Sequence, residues 1–203
     1  MMTPEEKRRL LQALPDTLRR YAHEGRGTVH VPGTTPYPML LGSTLDQYNT
    51  EFGTDLGGLL RSSKHYGSHP PIVAEVGPGS CRALHELKKR WGAYAVAFEV
   101  CDLPVHEGLD MLVVGDFEEV EIPDCLLGRV DLIFSHLVWP YFVDPLYALR
   151  KVESMLHPHS SAFIDICCAL DTAPSGWQET KPTIFSRYGC LAVSDQASKD
   201  SGP

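Results

Sequence analysis

The sequence predicts an α/β fold: a doubly wound, mostly parallel sheet with a helical N-terminal cap. Three observations predict it. From Ile72 onward, short apolar runs alternate with helical patterns, the rhythm of repeated strand–helix–strand units. The runs are apolar on both faces, as strands buried between two helical layers are. Before Ile72 the chain holds helical patterns and one Gly-, Pro- and Thr-rich stretch. Residues 1–70 therefore read as a helical cap or lid, 71–170 as the core, and 171–203 as a short strand or hairpin region with a tail.

Each element has a local reason. Thr3 and Glu6 have capping-box spacing and Pro4 suits a first helical turn, so a helix starts there. Pro15 is expected to break or kink it, with Asp16 to Tyr21 continuing. Gly25 to Pro38 reads as a loop. Leu45 to Ser62 reads as helical, interrupted around Gly53, and Ser62 to Pro71 as a linker. The predicted strands are Ile72–Val76, Ala93–Glu99, Met111–Val114, Val130–Phe134 and Ala162–Ile166. Between the last two, Asp144 can cap a helix and Pro145 fits its first turn. Leu146, Leu149, Val152 and Leu156 would line its apolar face. Thr183 to Val193 is expected to form a reduced closing hairpin.

Composition bounds the function. With 203 residues, 43% hydrophobic and 22% charged, the chain can bury one substantial core and is not disordered. Lys and Arg number 18 against 26 Asp and Glu, and the net charge of −8 disfavours nucleic-acid partners. The densest basic run, His85 to Trp91, reads as a solvated helix face. The N-terminus lacks the apolar core of a secretory signal, and no run approaches the ~20 residues that a spanning helix needs. We expect a cytoplasmic protein with no membrane partner. The six cysteines, Cys81, Cys101, Cys125, Cys167, Cys168 and Cys190, show no CxxC spacing and are expected to be reduced thiols. No metal site is expected. His157 and His159 read as a turn after a helix, Cys167 and Cys168 as a strand end, and none has zinc spacing. His65 and His69 read as linker residues.

The chemistry concentrates at three strand ends. In "IVAEVGPGSCRAL" a strand ends in Glu75, then Gly77 and Gly79 make a turn into a helix. Such a turn admits a ligand to the backbone and aims unpaired N–H groups at it. Glu99 ends the next strand, 22 residues after Gly77, where a carboxylate can accept from both hydroxyls of a ribose. Asp116 follows the third strand.

These segments resemble the motifs of class I S-adenosylmethionine-dependent methyltransferases, whose fold is Rossmann-like. "AEVGPGS" resembles the first motif, "AFEV" the second and "VVGDFEEVEIP" the third. The stretch from Arg129 to Ile166 resembles the fourth strand, its helix and the fifth strand. Where the family often has a third glycine, this chain has Cys81. The resemblance implies S-adenosyl-L-methionine as cofactor. Glu75 would then help hold its ammonium, Gly77 and Gly79 would admit it, and Glu99 would hold the ribose. Asp116 would accept from the adenine amino group, Phe117 would pack on the ring, and Ser135 would line the site. In "FSHLVWPYF", His136 is the candidate general base, while Trp139, Tyr141 and Phe142 suit either an apolar wall or core. The cap, with Tyr37 and Tyr48, would fold over the crevice as a lid. The acceptor would be a small molecule or a protein side chain, and the sequence is compatible with an oligomer.

Two rival readings stand beside this one. The chain after Ile166 looks short for the family's closing strands, which suggests a non-catalytic or partner-dependent S-adenosylmethionine-binding subunit. An NAD(P)-dependent oxidoreductase shares the G-x-G turn, but its fingerprint needs a small residue where Arg82 stands. The Tyr147-x-x-x-Lys151 pattern imitates a dehydrogenase pair, yet both residues fit the amphipathic helix without special duties.

Overall fold

The computed structural model describes residues 2–31, 36–63, 69–166, 170, 172–181 and 184–188. Its centre is a seven-stranded sheet of β3 (Ile72–Val76), β4 (Tyr94–Glu99), β5 (Met111–Val114), β6 (Val130–Ser135), β7 (Leu156–Asp165), β8 (Gln178–Lys181) and β9 (Ile184–Tyr188). The strand order is β5-β4-β3-β6-β7-β9-β8. β5 to β7 run parallel, whereas β9 is antiparallel to both β7 and β8. The order reverses direction between β3 and β6, and a crevice opens at such a point outside the carboxyl ends of the strands.

Alternate residues of the strands feed two cores. Ala74, Val76, Val96, Phe98, Ile133 and Ile164 face α5 (Pro145–Met155). Val73, Ala95, Ala97, Leu132, Phe134 and Phe163 face α2 (Leu45–Phe52), α3 (Leu56–Ser63) and α4 (Arg82–Trp91). A third cluster lies over the crevice. There α1 (Pro4–Tyr21) and the hairpin of β1 (Arg26–Val29) and β2 (Tyr37–Leu40) pack on Cys101 and Leu103 just past β4.

Several sequence expectations hold to within a residue. The capping boxes at Thr3 and the break at Gly53 are present, Gly53 being the left-handed cap that ends α2. Others need correction. Helix α1 continues through Pro15. Leu10, Leu14 and Leu18 are buried on one face. At about 1.5–3 kcal/mol each, they offset the roughly 3 kcal/mol that an interior proline costs. The expected loop at Gly25 to Pro38 contains β1 and the start of β2. Strand β7 starts at Leu156, directly after α5, so His157 and His159 lie in a strand rather than a turn. The buried face of α5 is Ala148, Leu149, Val152 and Met155, and Leu146 is exposed. The closing hairpin pairs Gln178–Lys181 with Ile184–Tyr188, earlier in the chain than expected. Cys167, Cys168, Cys190 and His65 lie outside the described residues, as does the side chain of Tyr37. No helix among the described residues is long and apolar enough to cross a membrane, and none of them form a metal-ligand cluster.

Candidate functional site

A cavity lies at the carboxyl ends of β3, β4, β5 and β6. Its floor is the glycine turn, its sides are the ends of β4 and β5, and its roof is α1. Of the residues singled out from the sequence, Gly77, Gly79, Glu99, Asp116, Phe117 and His136 line it together. Glu75 and Ser135 do not. Ser135 is fully buried and donates to the Val76 carbonyl at 2.8 Å, tying β6 to β3. Glu75 lies beneath the turn.

The turn is built on positive φ. Gly77 and Gly79 have φ of 70° and 55°, a region that costs an L side chain strain. Cys81, at the place of a third glycine, also takes φ 54° and begins α4 without a side-chain cap. A methyl on Gly79 would strike the Leu41 backbone at 2.7 Å, and the Ser80 N–H donates to the Leu41 carbonyl at 3.0 Å. The segment after β2 is thus seated directly on the turn.

Glu99 ends β4 with both oxygens engaged. Oε2 accepts from the Gly79 N–H at 2.9 Å and Oε1 from the Val100 N–H at 2.8 Å. Burial raises its pKa, against those two hydrogen bonds. A carboxylate oxygen accepts more than one donor, so each still has capacity toward the cavity.

Asp116 and Phe117 follow β5. Phe117 packs edge-on against Phe98 at 5.2 Å and near Phe142 at 5.9 Å, and is 4% exposed. Asp116 is paired with Lys7 of α1 at 2.6 Å, and Lys7 also meets Glu118. Glu118 in turn accepts from the Val143 and Asp144 N–H groups. All three charged side chains are nearly buried, so the roof is clamped to the loop that carries Asp116. Lys151 of α5 holds the same loop from the other side. It donates to the carbonyls of Phe117, Glu118 and Val120, and burial lowers its pKa. That duty was not legible in the Tyr-x-x-x-Lys pattern.

Glu75 is 1% exposed and accepts from the Tyr48 hydroxyl at 2.5 Å through Oε1, while its Oε2 has no partner. Burial raises its pKa to about 8, opposed by the Tyr48 hydrogen bond and reinforced by Glu99. Tyr48 is therefore a buried partner of the floor and not a lid residue. His136 stands just past β6. Its Nε2 lies 3.3 Å from Oδ2 of Asp165, at the end of β7, and its ring meets Tyr48 and Phe52 edge-on. Leu137 beside it has φ 60°, rare for a bulky residue and a mark of local strain. Tyr141 and Phe142 also line the cavity, whereas Trp139 is core.

Sequence reading missed Lys7, Asp165 and the role of Lys151. Lys7 left one signal: it shares the helical spacing of Leu10, Leu14 and Leu18, so a cation sits on an apolar face. Asp165 left none, because its partner is on another strand.

A parallel sheet with the reversal between β3 and β6 and an antiparallel strand slotted between β7 and β8, over a glycine turn, leaves one assignment. This is the class I methyltransferase fold. No family model and no curated protein matches the chain. Solved structures of this fold do. The plantazolicin methyltransferase BpumL in complex with SAH is 17% identical over 78% of this chain and 57% of its own, with a TM-score of 0.47. A TehB-like SAM-dependent methyltransferase from Corynebacterium glutamicum is 20% identical over 58% of this chain and 66% of its own, with a TM-score of 0.39. The chain spans less than two thirds of the length of either. At such values the strand order, not the likeness, carries the assignment of the methyltransferase fold.

Proposed function

We propose that the chain is an S-adenosylmethionine-dependent methyltransferase acting on a small molecule or a protein side chain. The observation that supports it most is Glu99. This buried carboxylate lines the cavity and is bracketed to the glycine turn, with Asp116 and Phe117 at the neighbouring strand end.

The residues present suit an adenosyl group. Glu99 would accept from the ribose hydroxyls, Asp116 from the adenine amino group, and Phe98, Phe117 and Phe142 give that end apolar walls. Glu75 lies beneath the glycine turn, outside the cavity lining, with one buried oxygen unpartnered. When bound, the cofactor supplies a methyl already activated on a sulfonium, so the protein's work is positioning and exclusion of water. The leucines of α1 give the cavity an apolar roof. His136 would hold the proton that the acceptor gives up.

The reading as a partner-dependent subunit drew on an apparently short C-terminal part. The sheet contains both closing strands, which removes that motive. The oxidoreductase reading gains nothing, since Arg82 donates to the His23 carbonyl at 2.9 Å and holds the N-terminal segment. Calorimetry with S-adenosylmethionine and S-adenosylhomocysteine tests the proposal: binding by both is expected. Binding by neither at millimolar concentration overturns it. A rise in melting temperature with NADH alone would favour the oxidoreductase.

A further inference from the structure

Resting on that reading, we infer that Lys7 is a latch on cofactor exchange: it must give up Asp116 to the adenine amino group, and it rests on Glu118 alone while the cofactor is bound.

The roof of the cavity is fastened by the same carboxylate that the adenine needs. Lys7 Nζ meets Asp116 Oδ1 at 2.7 Å and Oδ2 at 2.6 Å, so one ammonium spans both oxygens. The Glu118 N–H takes a further place on Oδ1 at 3.1 Å. The side chains of Lys7 and Asp116 are only 8% and 9% exposed. An ammonium and a purine amino group are both donors, and the hydrogen bond between two charged groups is the stronger. Lys7 Nζ also stands 5.4 Å from the centre of the Phe142 ring, one of the apolar walls at the adenine end. The cation thus holds the corner in which the amino group would sit. With both oxygens spanned and the pair almost closed to solvent, the amino group must displace Lys7 rather than share Asp116.

Displacing a nearly buried cation is costly unless another anion receives it. Glu118 is that anion. It already meets Lys7 through Oε2. It is also held in place, because the Val143 and Asp144 N–H groups donate to its two oxygens at 2.9 and 2.6 Å. The ammonium therefore has two resting places: shared between Asp116 and Glu118, or on Glu118 alone. In the second, α1 stays fastened over the ligand while the adenine holds Asp116. Lys7, Leu11 and Asp116 line both the cavity and an outer bowl that also includes Arg8 and Glu119. The pair thus stands in the partition between the two spaces, where its state bears on passage from one to the other. Two discrete arrangements of one side chain, each favoured by a different ligand state, make a two-state switch.

The experiment follows association of S-adenosylhomocysteine by surface plasmon resonance on wild type, Lys7→Gln, Lys7→Arg and Glu118→Gln, below the Tm of each. The minor state of such an equilibrium is about 0.1–10% populated. Freeing Asp116 should therefore raise the association rate of Lys7→Gln at least about tenfold. Glu118→Gln removes the second resting place, and Lys7→Arg spans Asp116 with a firmer two-pronged fork, so both should associate more slowly than wild type. The opposite signs are the test. Lys7→Gln and Glu118→Gln both break the pair of Lys7 and Glu118, so a clamp that only steadies the fold would shift them the same way. Slower or unchanged association of Lys7→Gln, or faster association of Glu118→Gln, would overturn the latch. Should Lys7→Gln not fold, the other two variants carry the test, and wild-type rates in both would overturn it. Absence of binding by the folded wild type at millimolar concentration would instead overturn the cofactor reading, and the latch with it.

Discussion

Replacing Glu99 by glutamine should weaken S-adenosylhomocysteine about 30-fold. The alanine variant is the wrong probe here. Truncation would orphan the buried N–H groups of Gly79 and Val100, at about 1–3 kcal/mol each, and damage the turn itself. Glutamine keeps the length and one acceptor, so the bracket survives in part. What it removes is the charge. A hydrogen bond to a charged group is worth about 1.5–3 kcal/mol and a neutral one about 0.5–1.5, so each ribose hydroxyl loses about 1 kcal/mol. Two hydroxyls give about 2 kcal/mol, which is roughly 30-fold in Kd. The assay is a calorimetric titration of wild type and variant in one buffer, with thermal melts in parallel. An affinity changed less than about threefold, with the fold intact, would refute the assignment of Glu99 to the ribose. A lower Tm with unchanged affinity would show that Glu99 is a bracket for the turn and nothing more.

Three further outcomes follow from the same geometry. The Glu75 pKa is raised from 4.5 to about 8 by burial, so between those values the folded state binds more protons than the unfolded. Its contribution is present below pH 4.5 and is lost as pH rises through 8, at up to about 1.4 kcal/mol per pH unit. Glu75→Gln should therefore flatten Tm against pH and be the more stable protein at pH 8; parallel wild-type and variant curves would refute it. Lys7→Met leaves Asp116 and Glu118 buried without their cation. It should cost about 3 kcal/mol, or roughly 6–12 °C in Tm, and a change under about 2 °C by differential scanning fluorimetry would remove the clamp from consideration. Lys151→Met strips three carbonyls of their donor and should speed hydrogen exchange at residues 117–120 and weaken S-adenosylhomocysteine. Unchanged protection there would show that the loop orders itself.

The sheet was legible because its strands are short, apolar and bounded by turn residues. Ile72–Val76 and Met111–Val114 were read to the residue. The β1–β2 hairpin was not, because four-residue strands beside Gly, Pro and Thr look like loop; their pairing comes from packing under α1. At the site, the residues at strand ends were legible because the topology fixes where strand ends converge. Six of the eight candidates line one cavity. Ser135 does not line it because its hydroxyl turns to the Val76 carbonyl, and Glu75 does not because it is buried against Tyr48. Lys7 meets Asp116 across 109 positions and His136 meets Asp165 across strands, and no local pattern encodes either.

The antiparallel slot between β7 and β8 also sets the order of assembly. Strand β9 must enter between two strands that precede it, and it arrives as the second arm of a tight hairpin. Until residues 184–188 leave the ribosome, Ala162 to Ile164 present a bare apolar edge. An unpaired edge of that kind templates pairing with another chain. A nascent chain halted before β9 would hold most of the parallel strands and still be sticky. Strand β9 is short, yet without it β7 keeps an open edge of the kind on which chains aggregate.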